Sequence, residues 1–167
     1  MALVETIIED DRWEEIGLPA LSEAAAEHVL VALDLPADGF LISVLGCDDA
    51  RIAVLNADFR GKPQPTNVLS WPSEDRGAED DGGAPDQPEA GDADEPEELG
   101  DIAIAWETCG REALEQGIPL KDHVTHLVVH GILHLLGYDH VREADAALME
   151  GLEVRILATM GISDPYA

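Results

Sequence analysis

Apolar positions along this chain change their period from segment to segment, and the changes mark out its elements. Residues 2–8 mix β-branched and polar side chains and read as a first strand. Residues 19–33 (PALSEAAAEHVLVAL) carry apolar side chains at helical spacing with Pro19 at the start, which predicts a helix. Residues 39–45 (GFLISVL) form a short apolar run before Gly46, the pattern of a buried strand. Residues 48–59 open with two acids and set Ile52, Leu55 and Phe59 three and four apart, a second helix stopped by Gly61 and Pro63. Two further strands are expected at 67–71 (NVLSW) and 100–106 (GDIAIAW). A helix over 107–116 is closed by Gly117, a strongly apolar helix over 120–136 is closed by Gly137, and an amphipathic helix over 142–160 ends the chain. The interleaving predicts one α/β (α+β) domain over 1–167, a small mixed sheet packed with about five helices.

One stretch has no period at all. Residues 73–98 hold twelve Asp/Glu, one Arg, four Gly and three Pro, and nothing more apolar than Ala. Such a run cannot bury enough apolar surface to offset its ordering entropy, so it reads as a disordered acidic insert joining the two strands around it. It carries −11 of the formal net charge of −27. The other 141 residues still hold 24 acids and 8 bases. That balance excludes a surface-wide electrostatic grip on nucleic acid or anionic lipid.

Two cysteines, Cys47 and Cys109, make no disulfide framework and suit a reducing compartment. Residues 1–12 lack the basic start and apolar run of a signal peptide, and no apolar stretch reaches membrane-spanning length. The expectation is a cytoplasmic protein with no membrane partner.

Chemistry concentrates in residues 130–140, HGILHLLGYDH. His130 and His134 lie one helical turn apart and can offer imidazole nitrogens to one ion. Gly137 suits a left-handed helix cap that turns the chain back and brings His140 toward them. Three imidazoles with an open fourth position describe a catalytic zinc site, with the metal on a C-terminal helix and the turn after it. His126 and His123, one and two turns earlier, are either supporting partners or surface residues. Asp139 either accepts a ligand's free ring N–H or caps the turn. The spacing follows the elongated zincin pattern except at one position: Gly131 stands where those peptidases carry their glutamate base. The metal geometry is retained without the peptidase's proton acceptor. A second cluster, residues 55–72 (LNADFRGKPQPTNVLSWP), places Arg60 and Lys62 in a Gly/Pro-rich turn, where they are either phosphate contacts or solvated loop charges.

Together these segments resemble the YbeY family of bacterial rRNA maturation factors, metal-dependent single-strand-specific endoribonucleases. The resemblance runs from about Leu55 to Tyr166. It rests on the LN-x-x-FRGK and PTNVLSWP strings, the Leu99-Gly100-Asp101-Ile102 strand opening, HGILHLLGYDH, and the following helix with Met149 and Glu153. It implies one zinc ion held by His130, His134 and His140, with His130 and Arg60 as catalytic residues and Arg60 on substrate phosphate. It also implies action on single-stranded rRNA, in 16S rRNA 3′-end maturation and ribosome quality control, with the small ribosomal subunit and its proteins as partners. Two departures stand out: Trp71 replaces the usual Phe, and the acidic insert before Leu99 is far longer than the family's connection. The competing readings are a zincin-like metallopeptidase, which Gly131 disfavours, and a non-catalytic zinc-containing ribosome-assembly factor, which an open site disfavours. On so acidic a chain, RNA binding has to be local and to depend on the metal site, Arg60 and a ribosomal partner.

Overall fold

Four strands lie side by side in the order β1-β2-β4-β3: β1 is Val4–Ile8, β2 Phe40–Cys47, β3 Val68–Pro72 and β4 Glu97–Ala105. The computed structural model describes residues 3–92 and 94–166. Residue 2, where the first strand was expected to begin, lies outside the described residues. β1 and β4 both run parallel to β2, and β3 closes the far edge antiparallel to β4. The sheet is therefore mixed. The helices are α1 (Leu18–Ala32), α2 (Asp49–Arg60), α3 (Trp106–Gln116), α4 (Leu120–Leu135) and α5 (Glu143–Thr159). Each falls within about two residues of its expected bounds. A 3-10 helix over Asp11–Ile16 was not expected, because six residues are too few to show a period. It buries Trp13, whose indole N–H donates to the Cys47 carbonyl at 2.8 Å.

The two sheet faces are unequal. Phe40, Ile42 and Val44 of β2 and Leu99, Ile102 and Ile104 of β4 enter the main core, shared with α1, α4 and α5. The alternate residues Cys47, Ala103 and Ala105 form a smaller core with Ile52 of α2 and Leu69 of β3. Leu99 and Ile102 share a face despite being three apart, which breaks the two-residue repeat. A bulge accounts for it: Leu41 pairs with Glu98 but Ile42 pairs with Gly100, leaving Leu99 as the extra residue. Gly100 makes the bulge possible, since its φ is +141° and a Cβ there would stand 2.2 Å from the Trp71 carbonyl oxygen.

α4 is packed by α1, α3, α5 and the strands β3 and β4, which explains its many buried apolar residues; His126, His130 and His134, spaced four apart, form the face left partly open. Gly131 packs close to the sheet: a Cβ there would meet Ile102 of β4 at 3.1 Å. The helix ends as Gly137 predicted. The Tyr138 amide bonds the Leu133 carbonyl and the Gly137 amide the His134 carbonyl, with Gly137 at φ +100°.

Residues 73–96 contain no helix or strand among the described residues, and β4 begins at Glu97, inside the expected insert. Specific bonds tie this connection to the site-bearing helices. Arg76, nearly fully buried, donates to the Leu135 carbonyl at the end of α4. Asp81 accepts the Asp145 amide at 2.9 Å and so caps α5, while Arg142 donates to the Ala78 and Glu79 carbonyls.

Candidate metal centre

The fold brings His130, His134 and His140 together, with one nitrogen of each lying within 4.8 Å of the others. His130 and His134 come from adjacent turns of α4, and the Gly137 cap folds the following turn back so that His140 faces both. Its ring centre stands 5.2 Å from that of His130 and 5.0 Å from that of His134. The Nε2 atoms of His130 and His134 are 3.2 Å apart. Ligand nitrogens about 2.0–2.1 Å from a tetrahedral zinc are separated by roughly 3.4 Å, so this pair already has the spacing of two shared ligands.

Sequence reasoning assigned no role to the residue that organises this cluster. Glu153 of α5 is fully buried and accepts from His130 Nδ1 at 2.6 Å and from the Tyr166 hydroxyl, with His126 Nε2 at 3.5 Å. Burial pushes its pKa up, but the bonds from His126, His130 and Tyr166 outweigh that and hold it at about 2. An ionised carboxylate against Nδ1 assigns the ring proton there and leaves the Nε2 lone pair facing the other two imidazoles. Burial and the two neighbouring imidazoles lower the His134 pKa to about 4, so that ring is neutral at physiological pH. Three lone-pair donors converging on one point fit a borderline-soft divalent cation. The site could hold a metal ion.

A signal for Glu153 does exist in the chain. It sits among Met149, Leu152, Ile156 and Leu157, the buried stripe of α5, where an unpartnered carboxylate would be costly. What the stripe does not reveal is which group 23 residues away answers it. Replacing Glu153 with Gln keeps the shape and removes the charge that polarises His130. We expect zinc affinity, measured by competition with a chelator, to fall about 10–100-fold. An unchanged affinity would refute this role.

The remaining candidates separate clearly. His126 stands beside Glu153 and 3.3 Å from the Tyr166 hydroxyl, so it supports the cluster. His123 does not: its Nε2 pairs with Glu112 at 2.9 Å. The same Glu112 oxygen accepts from Asn67 at 3.0 Å, fixing the start of β3. Asp139 caps its own turn, accepting the His140 amide at 2.7 Å, and lies 4.0 Å from His140 Nδ1, too far to be its hydrogen-bond partner.

A cleft of about 390 Å3 opens from the histidines, lined on its far side by Phe59, Arg60, Thr66, Asn67 and Ser70. Arg60 is the last residue of α2, delivered there by the left-handed Gly61 that ends the helix. Lys62 is exposed and is not among the residues lining the cleft. A smaller cleft, about 250 Å3, lies on the other side of His134 and Asp139 and is bounded by Glu74, Asp75 and Arg76 of the acidic connection. Gly131 faces Ile102, so the Cβ of a glutamate at the zincin position would press on that side chain at 3.1 Å.

The sequence profile of the family described as endoribonuclease YbeY matches residues 7–161. A protein of that name from Cereibacter sphaeroides is 67% identical over 164 residues, covering 98% of each chain. Another from Dinoroseobacter shibae is 59% identical, covering 99% of this chain and 91% of the relative. One from Ruegeria pomeroyi is 57% identical, covering 98% and 97%. A Thermotoga maritima protein solved in solution shares the fold at 20% identity, with a TM-score of 0.55 over 97% of each chain.

Proposed function

Since this chain belongs to the endoribonuclease YbeY family, we propose that it is a hydrolytic, zinc-dependent endoribonuclease that cuts single-stranded RNA in the cleft between His130 and Arg60. The observation that carries this reading is the shared cleft: three convergent imidazoles and a guanidinium suited to bidentate phosphate contact line it together. His130, His134 and His140 would hold the ion. Such an ion supplies Lewis-acid charge and eases deprotonation of a water near neutral pH. Glu153 keeps the His130 ring oriented, with its Nδ1–H on the carboxylate and Nε2 turned toward the other two imidazoles. Arg60 neutralises charge developing on the phosphate oxygens.

The peptidase reading is disfavoured because no carboxylate occupies position 131. In the cell, the proposed substrate is rRNA, at the 3′ end of 16S rRNA, with the small ribosomal subunit as the assembly that presents it. A cytoplasmic site of action is supported by two thiols that are both buried and unpaired: burial pushes Cys47 up to about 12 and Cys109 higher still, so neither is reactive. Among the described residues, no helix is long and apolar enough to cross a membrane.

The test is cleavage of labelled single-stranded and duplex RNA, with a peptide as control, by metal-loaded and chelator-stripped protein. Single-stranded RNA should be cut, and the cutting should be lost on stripping and restored by zinc. Cleavage that persists without metal would overturn the mechanism. Peptide hydrolysis without RNA cleavage would favour the peptidase, and neither activity with ribosome binding intact would favour the assembly factor.

A further inference from the structure

We propose that Phe59 is a stacking platform for one unpaired nucleobase of the RNA, and that the preference for single strands is set there and not at the metal. The inference rests on the endoribonuclease reading and adds a binding subsite to it.

An aromatic ring presents a flat π-face on which a nucleobase can stack. Phe59 is 48% exposed at the last turn of α2, adjacent in sequence to Arg60 and lining the same cleft as the three histidines. Its ring is braced from behind: the Trp71 ring of β3 lies 5.1 Å away at an interplanar angle of 50°. A braced ring does not have to be ordered when a base arrives, so little of the stacking energy is spent on fixing it. Trp71 is thus the residue that supports the platform.

Around it, the cleft offers what a nucleotide requires. Arg60 supplies charge for a phosphate, Thr66 and Ser70 supply hydroxyls along β3 and the segment leading into it, and Val141, 82% exposed, gives a second apolar surface just past His140. A protein this acidic cannot hold RNA through many phosphate contacts, so stacking on a base face adds affinity that charge does not supply. Bases in a duplex are already stacked on their neighbours and cannot be offered to a ring in a cleft. Aromatic recognition of RNA therefore selects unpaired nucleotides.

The experiment uses metal-loaded full-length protein and short single-stranded oligoribonucleotides, with binding read by fluorescence anisotropy and cleavage resolved into kcat and KM. Phe59→Ala and Phe59→Leu should each raise Kd and KM about ten- to a hundredfold, with kcat within about threefold of wild type. Phe59→Trp should restore both. Phe59→Leu keeps apolar packing against Trp71, so equal losses in the two variants exclude a folding defect, which a thermal melt checks directly. A set of oligonucleotides carrying one abasic ribose at successive positions completes the test. At one position, removing the base should weaken wild-type binding but leave Phe59→Leu unaffected. Wild-type affinity in Phe59→Leu, or abasic losses equal in both proteins at every position, would overturn the platform. If the wild-type protein binds RNA but does not cut it, the enzyme reading falls while the abasic comparison still decides this one. If it does not bind RNA at all, both fall.

Discussion

His130→Ala is expected to leave less than about one tenth of a zinc ion per chain and to slow cleavage of single-stranded RNA by about a thousandfold, close to 4 kcal/mol of barrier. Two losses combine. One of three imidazoles leaves the cluster, and the bond that orients it goes too, because His130 is the ring joined to Glu153 at 2.6 Å. Glu153 is then a fully buried carboxylate with His126 and Tyr166 as its remaining partners. Removing one partner of a buried charge costs about 3–5 kcal/mol of stability, so the thermal midpoint should drop as well. His140→Ala separates the two effects. His140 is 55% exposed and makes no bond to Glu153, so that variant should lose metal and activity while melting near the metal-free wild type. Metal analysis, melting and cleavage are measured on the same samples. Near-wild-type cleavage in His130→Ala with no bound metal would remove the metal from the mechanism.

Arg60→Ala is expected to lower cleavage about 10²–10³-fold with zinc content and thermal midpoint unchanged, the loss typical of one preorganised donor to a developing oxyanion. The separation follows from geometry: Arg60 is exposed at the end of α2 and lines the cleft without belonging to the histidine cluster. Arg60→Lys keeps the charge but not the planar fork, so it should recover only part of the loss, mostly in KM. An effect under about threefold, or a change in metal content, would show that Arg60 does something else.

The histidine cluster was legible because its information is local. Four-residue spacing, a helix-stopping glycine and a third histidine all lie within eleven residues, and each obeys a short-range rule. Strand order was not legible. β4 lies between β2 and β3 although β3 precedes it in the chain, and no period encodes which strands pair. The bulge at Leu99 hides for a related reason, since it shows only as a parity slip once the register with β2 is known. Glu153 was noticed but left without a role, because its meaning depends on a partner on another helix. In the acidic connection, composition registers twelve like charges, but it cannot register that Arg76 and Asp81 cap two helices. A single well-placed hydrogen bond leaves no compositional trace.

That capping governs how the protein finds its target. The acidic connection is tied to α4 and α5 by Arg76 and Asp81, and to the sheet by the Gly91 and Glu97 amides on the Gly39 carbonyl. Its charge is thereby held in place beside His134 and Asp139, on the side of the site away from Arg60. Proteins that scan along a nucleic acid do so by exchanging loose phosphate contacts across a basic surface. Among the described residues there is no such surface, and the acidic bank beside His134 repels a polyanion. The protein cannot glide from one stretch of RNA to the next. An acidic bank beside the histidines favours strands that enter from the Arg60 side of the cleft over loose phosphate contact elsewhere on the surface.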